Sequence, residues 1–220
     1  MSALEWMRLH VEALYRHDAR GRIVSSNEWQ PAPAPRFHLG RTSEGLEHRF
    51  RADLPDALCE ELAALGADES AITRVLAAHA PIERVWRGPA YALLADVSPR
   101  PNARVVAIDA SNADLLRGGF DAWLDDVPHR QPFLAVLEDD RAVAVCASVR
   151  ITSAAHEAGV ETLAAARGQG HAVDVVAAWA TAVRHAGALA LYSTSADNAA
   201  SQRVAAKLGA QPIGTDFRVT

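Results

Sequence analysis

The chain has 220 residues, enough for one large domain or two small ones with a real core. Half of its residues are hydrophobic and 22% are charged, the balance of a folded globular protein rather than a disordered or fibrous one. The formal charge is −5, from 22 basic and 27 acidic side chains, and neither half of the chain is basic; a nucleic-acid partner has no electrostatic footprint here.

The first residues mix Glu5, Arg8, His10, Glu12 and Arg16 with apolar side chains, which is not the form of a signal peptide. Leu4, Met7, Val11, Leu14 and Tyr15 recur at helical spacing, and residues 18–21 end that helix. Residues 22–25 read as a short strand, and Pro31, Pro33 and Pro35 as a loop. Residues 37–42 and 46–51 form a predicted hairpin across Ser43-Glu44-Gly45. Residues 54–65 and 71–79 read as helices, and 90–97 as a strand. Pro99-Arg100-Pro101-Asn102 marks the expected boundary between an amino-terminal α+β region (1–101) and a second domain (102–220).

The second domain has a clearer rhythm. Strands are expected at 105–108, 133–137, 142–149, 156–163, 189–193 and 213–219, with helices at 112–124, 173–186 and 198–208. Gly187 and Gly209 follow the last two helices as C-terminal stops. A hairpin followed by strand–helix–strand–helix predicts an α/β protein of the α+β type, a mixed sheet with helices on its faces. No apolar run approaches the ~20 residues of a membrane span, so a cytoplasmic location without membrane partners is expected. Cys59 and Cys146 both sit in apolar surroundings and are expected as buried thiols. No Cys/His/carboxylate cluster has a metal spacing, and no metal is expected.

The chemistry concentrates in one stretch. A strand ending in Val160-Glu161-Thr162-Leu163 runs into Arg167-Gly168-Gln169-Gly170-His171-Ala172, and that loop opens directly into a helix. Amides at a helix N-terminus lack partners and the helix dipole favours an anion there. Gly168, Gly170 and Ala172 keep side chains out of the way of a diphosphate. The helix carries Val173, Val175, Val176, Trp179 and Val183 on more than one side, as a buried, rigid helix does. The dinucleotide fingerprint fits poorly, since its third glycine is missing, and a P-loop fails outright because no Gly-Lys-Ser/Thr follows.

The same loop resembles the Arg/Gln-x-x-Gly-x-Gly/Ala acyl-CoA signature of the GNAT superfamily of N-acetyltransferases. Asn198-Ala199-Ala200-Ser201 followed by Val204-Ala205-Ala206-Lys207-Leu208-Gly209 resembles that family's second motif, and the two lie a helix and a strand apart in the family's order. The resemblance covers residues 102–220 and implies a GNAT fold that splays two parallel strands, here 156–163 and 189–193, around acetyl-CoA as acyl-donor cosubstrate. Val160, Glu161 and Thr162 would pair their backbone with the pantetheine arm. Arg167, Gly168, Gln169, Gly170, His171, Ala172 and Val173 would form the diphosphate loop. Asn198 and Ser201 would approach the thiol end, although Asn198 also reads simply as a helix N-cap.

Acetyl transfer needs a neutral amine, and an alkyl amine with a pKa near ~10.4 must first lose a proton. Counted back from Arg167, the position of the family's base glutamate is His156, with Glu157 next to it. Family members commonly carry a thiolate-protonating tyrosine where this chain has Ala205; Tyr192 on the preceding strand is the other candidate acid, or a packed strand aromatic. Three readings follow from the sequence. The first is an N-acetyltransferase acting on a primary amine by direct attack, with residues 1–101 building or covering the acceptor site. The second is a catalytically weak acyl-CoA-binding or regulatory protein, and the third a partner-binding α/β domain with no CoA site. The expected partners are acetyl-CoA and an amine acceptor, and a homodimer is left open.

Overall fold

The computed structural model describes all of residues 1–220. In chain order its elements are α1 (Ala3–Leu14), β1 (Tyr15–His17), β2 (Ile23–Ser26), β3 (Phe37–Arg41), β4 (Leu46–Phe50), α2 (Asp56–Ala64), α3 (Glu69–His79) and β5 (Val85–Ala92). There follow β6 (Val105–Ala107), β7 (Phe133–Glu138), β8 (Arg141–Ile151), β9 (Ala155–Thr162), α4 (His171–His185), β10 (Leu189–Ser193), α5 (Ala199–Lys207) and β11 (Gln211–Val219). The chain folds as two compact units. One comprises Met1–Tyr91, Ser193–Asn198 and Pro212–Thr220; the other comprises Ala92–Tyr192 and Ala199–Gln211. No helix is long and apolar enough to cross a membrane.

In the first unit, α1 starts on a capping box: the Ser2 side chain accepts from the Glu5 amide, and the Glu5 carboxylate accepts from the Ser2 amide. The helix buries Met7, Val11 and Leu14 and stops at Leu14, short of the end expected at residues 18–21, because Tyr15 turns extended and opens the β1–β2 ribbon. The β3–β4 hairpin forms where the sequence places it, with Phe37 opposite Phe50 and Arg41 opposite Leu46. Strand β5 begins at Val85, five residues ahead of expectation. Pro89 lies inside this strand: proline lacks only the donor, and its carbonyl accepts from the Thr194 amide at 3.2 Å. The strand order in this unit is β4-β3-β11-β5. Phe37, Leu39, Leu62, Ile72, Leu76, Phe217 and Val219 form its core under α2 and α3.

A charge network lies inside that unit. His10 Nε2 donates to Asp216 Oδ2 at 2.9 Å, Arg218 Nη2 donates to the same oxygen at 2.5 Å, and His38 Nε2 stands 3.6 Å from Oδ1. On its other side, His38 Nδ1 shares a hydrogen bond with the Tyr15 hydroxyl at 3.2 Å. Burial drives the His38 pKa down to about 3 against the opposing pull of Asp216, so this contact is a neutral imidazole beside an anion rather than an ion pair. Burial alone would raise Asp216, but His10, Arg218 and His38 outweigh it and hold the carboxyl far below its ordinary range.

In the second unit the strand order is β10-β9-β8-β7-β6. The β7–β8 turn places Asp139 and Asp140 at φ 46° and 56°, the left-handed pair that a two-residue hairpin loop demands. The helix expected over 112–124 is instead two 3-10 turns, Ala113–Leu116 and Asp121–Asp126. Gly118 between them takes φ +82°, and its amide donates to the Asp121 carboxylate, so the helical ladder cannot pass through. Those turns cover one face of the sheet with Leu116, Phe120 and Val127 against Phe133, Ala135 and Val145. On the opposite face lies α4, with Val175, Val176, Trp179 and Val183 fully buried. Cys59 and Cys146 are both buried free thiols, and burial pushes the Cys146 thiol well up.

Candidate functional site

Strand β9 has two unlike edges. Along one it pairs with β8 from His156 to Thr162, in antiparallel register. Along the other it pairs in parallel with β10 at three positions only: Ala155–Leu189, His156–Ala190 and Glu157–Leu191. Beyond Glu157 the strands part, and residues 158–162 keep a backbone edge with no strand partner. Such an edge invites an extended ligand to add itself as a strand. Val160, Glu161 and Thr162 all belong to it.

After β9 the chain makes a 3-10 turn (Ala164–Ala166) and then the loop into α4. Gly168 and Gly170 sit at φ +79° and +93°, which only glycine adopts without strain. Gly170 is the N-cap, so no side chain occupies the helix terminus. The amides of residues 168–172 have no acceptor in the chain, while those of Val173 and Asp174 turn back to the Gly170 carbonyl. Five consecutive amides without an acceptor thus lie at the positive end of a 15-residue helix, where an anion is favoured. Arg167 folds back, its Nε donating to the Thr162 carbonyl at 3.2 Å, and Gln169 closes onto Ala165. His171 is buried with Nε2 3.2 Å from Glu138 Oε1.

A cation escaped the sequence reading here. Arg100, taken only as part of a linker, reaches the first turn of α4. There the Asp174 carboxylate, 2% exposed, accepts from the Arg100 amide at 2.9 Å, from Nε at 2.9 Å and from Nη2 at 2.6 Å. A Cβ placed on Gly170 would stand 3.2 Å from the Arg100 guanidinium carbon, so the positive group lies over the open loop. The available signal was an acidic residue in the first turn of a helix otherwise suited to an anion: it calls for a cation beside it.

The remaining candidates gather where β9 and β10 part. Successive strand residues face opposite sides, which separates His156 from Glu157. His156 faces α4: its Nδ1 is 2.9 Å from the Ser148 hydroxyl, and the Trp179 indole donates to that same oxygen at 3.0 Å. Burial lowers the His156 pKa below its ordinary value. Glu157, 2% exposed, faces the other side, as does Glu161, whose carboxylate accepts from the Trp123 indole at 2.6 Å. A register shift between Ser148 and Arg150 lies beside the pair, the kind of bulge that re-aims side chains next to sites. Tyr192 is buried on β10, on the His156 side by alternation, and its hydroxyl is 2.5 Å from the Ser201 hydroxyl on α5. Ala205, at the family's tyrosine position, is fully buried, and Asn198 is exposed immediately before α5. Nothing in the sequence pattern pointed to Ser148, and Trp179 reads there only as a core residue.

A strand that splits from its parallel neighbour and runs into a helix start lined with amides is the arrangement that the sequence resemblance leads one to expect. Residues 100–210, half of the chain, match the model of the acetyltransferase (GNAT) family, and the chain belongs to that family. Among solved structures, a provisionally described GNAT acetyltransferase from Novosphingobium aromaticivorans DSM 12444 superimposes with a TM-score of 0.52 at 18% identity. The match takes in 63% of this chain and 65% of that one, just under two thirds of its length. A GCN5-related N-acetyltransferase-like protein from Streptococcus suis 89/1591 has a TM-score of 0.52 at 14% identity, over 86% of this chain and 85% of that one. A GCN5-related N-acetyltransferase from Sphaerobacter thermophilus gives 0.50 at 15%, over 70% and 56%. At these identities the likeness is one of fold. No curated protein matches the sequence.

Proposed function

We propose that the protein is an acetyl-CoA-dependent N-acetyltransferase that moves the acetyl group to a primary amine by direct attack. The observation that carries this reading is the open edge of residues 158–162 leading straight into the open amides of residues 168–172. Val160, Glu161 and Thr162 would hold the pantetheine amides, and Gly168 to Ala172, with Arg167 bracing the loop, would hold the diphosphate, whereas the Val173 amide is already taken by Gly170; Arg100 adds a positive charge there. This places the thioester near the point where β9 and β10 part, beside His156, Glu157 and Tyr192.

In the reaction the amine nitrogen attacks the thioester carbonyl carbon. A C–N bond forms, the C–S bond breaks, one amine proton passes to a base at the His156–Glu157 pair, and the departing thiolate takes a proton. The Tyr192 hydroxyl, coupled to Ser201, is the donor in this reading, in place of the tyrosine that Ala205 excludes. That same buried alanine favours a second reading, an acyl-CoA-binding or regulatory protein with weak turnover. Release of CoA thiol over a panel of primary amines decides between the two. Steady release with one amine class supports the transferase, and tight acetyl-CoA binding without release for any amine supports the regulatory protein.

A further inference from the structure

One indole donor and one imidazole meet at Ser148. The residue lies on β8 at 1% exposure, and its hydroxyl has two partners in the chain, Trp179 Nε1 at 3.0 Å and His156 Nδ1 at 2.9 Å. An indole nitrogen can only donate, so Ser148 Oγ accepts from Trp179. The Ser148 hydrogen then has a single acceptor within reach, His156 Nδ1. With Nδ1 accepting, the ring proton of a neutral His156 must sit on Nε2. The opposite tautomer would point Nδ1–H at Oγ and strand the serine hydrogen in a buried place, at the full desolvation cost of an unmade bond. Protonating the ring would strand it in the same way. Burial acts on the ring in the same direction, and no charged group on β8, β10 or α4 contributes to its shift. His156 Nε2 has no partner in the chain and reaches solvent.

We propose that Trp179 and Ser148 lock His156 as a neutral imidazole with its proton on Nε2, and that His156 serves acetyl transfer as a hydrogen-bond donor rather than as the base. This rests on the transferase reading above. Of the reacting groups, the thioester carbonyl oxygen gains negative charge as the amine attacks, and a fixed N–H donor at the head of the wedge suits that oxyanion. Proton removal then falls to Glu157, on the other face of β9. Ser148 and Trp179 are positioning residues: they act only by fixing which nitrogen carries the proton.

The test joins a spectroscopic readout on the full chain with kinetics. In ¹⁵N-labelled free protein, His156 should show the Nε2–H tautomer and should titrate below an ordinary histidine, whose pKa is ~6.5. Ser148→Ala and Trp179→Phe should each release the lock: the tautomers mix and the ring titrates nearer its ordinary value, and Ser148→Thr should restore the wild-type signature. His156→Ala should lower kcat about 10²–10³-fold, as loss of an oxyanion donor does. His156→Gln, which keeps an N–H donor but cannot act as a base near neutral pH, should recover most of that loss. An Nδ1–H tautomer in the free protein, or a His156→Gln variant as slow as His156→Ala, overturns the inference and leaves the transferase reading intact. Failure of acetyl-CoA to bind removes the transferase reading and the donor role while leaving the tautomer lock to stand on the spectra.

Discussion

The two units treat their polar groups in opposite ways. In the first, Asp216, His10, His38, Arg218 and Tyr15 turn inward on one another, and the carboxylate is shut away from water. In the second, the edge of residues 158–162 and the amides of 168–172 are left for something outside the chain to satisfy. A closed polar network fixes how a core packs and becomes costly when one member is lost. An open row of backbone donors does little for stability and is instead a surface shaped to bind. The contrast sets a structural role for the first set of groups against the ligand-recognition role proposed for the second, and it can be broken at either end.

The largest effect is expected in the closed network. Asp216→Ala leaves buried partners without their anion and should cost about 3–5 kcal/mol of stability in urea denaturation of the intact protein. A loss below about 1 kcal/mol would mean that the network is not a stability element. Acid should probe the same cluster. The His38 pKa, about 3 when folded, lies below the ordinary ~6.5, so its contribution is present above pH ~6.5 and fades as pH falls toward 3. Asp216, also depressed, adds a further loss below about pH 4. Stability that is flat from pH 7 to pH 4 would contradict this.

Smaller effects belong to the open site. Tyr192→Phe keeps the ring and removes the proton donor; thiolate is a good leaving group, so a fall in turnover near the lower limit for acid–base catalysis, about 10²-fold, is expected with acetyl-CoA affinity unchanged. Turnover at the wild-type level would free Tyr192 from the acid role. Arg100→Gln should weaken acetyl-CoA binding about tenfold, the scale of one charge-assisted hydrogen bond. Binding of acetyl-pantetheine, which has no diphosphate, should not change; equal loss for both ligands would show that Arg100 acts on the fold rather than on the phosphates.

How much of this could be read from sequence follows from the range of the interactions. The hairpin at Ser43-Glu44-Gly45, the Gly187 and Gly209 helix stops and the strand–loop–helix around Arg167 and Ala172 are local, and local turn chemistry and periodicity reveal them. The segment at 112–124 misled because its apolar pattern is helical while Gly118 in its middle is not. The parting of β9 from β10 was legible only through the family resemblance, since pairing between residues as distant as Ala155 and Leu189 leaves no local mark. Arg100 on Asp174 and Trp179 on Ser148 are meetings of residues far apart in the chain, and Ser148 meets His156 only across the bulged β8–β9 pair, so the fold alone brings them together.

The central claim is that the open edge and amides of the second unit hold acetyl-CoA, and calorimetric titration of the wild-type protein beside Gly170→Glu tests it most directly. The substitution puts a carboxylate where the diphosphate would sit, straining the loop at φ +93° and meeting the Arg100 side chain there. The account predicts one acetyl-CoA site per chain in the wild type and at least a 100-fold loss of affinity in the variant, with its circular dichroism spectrum unchanged. Absence of binding heat in the wild type, or equal affinity in a folded variant, would contradict it.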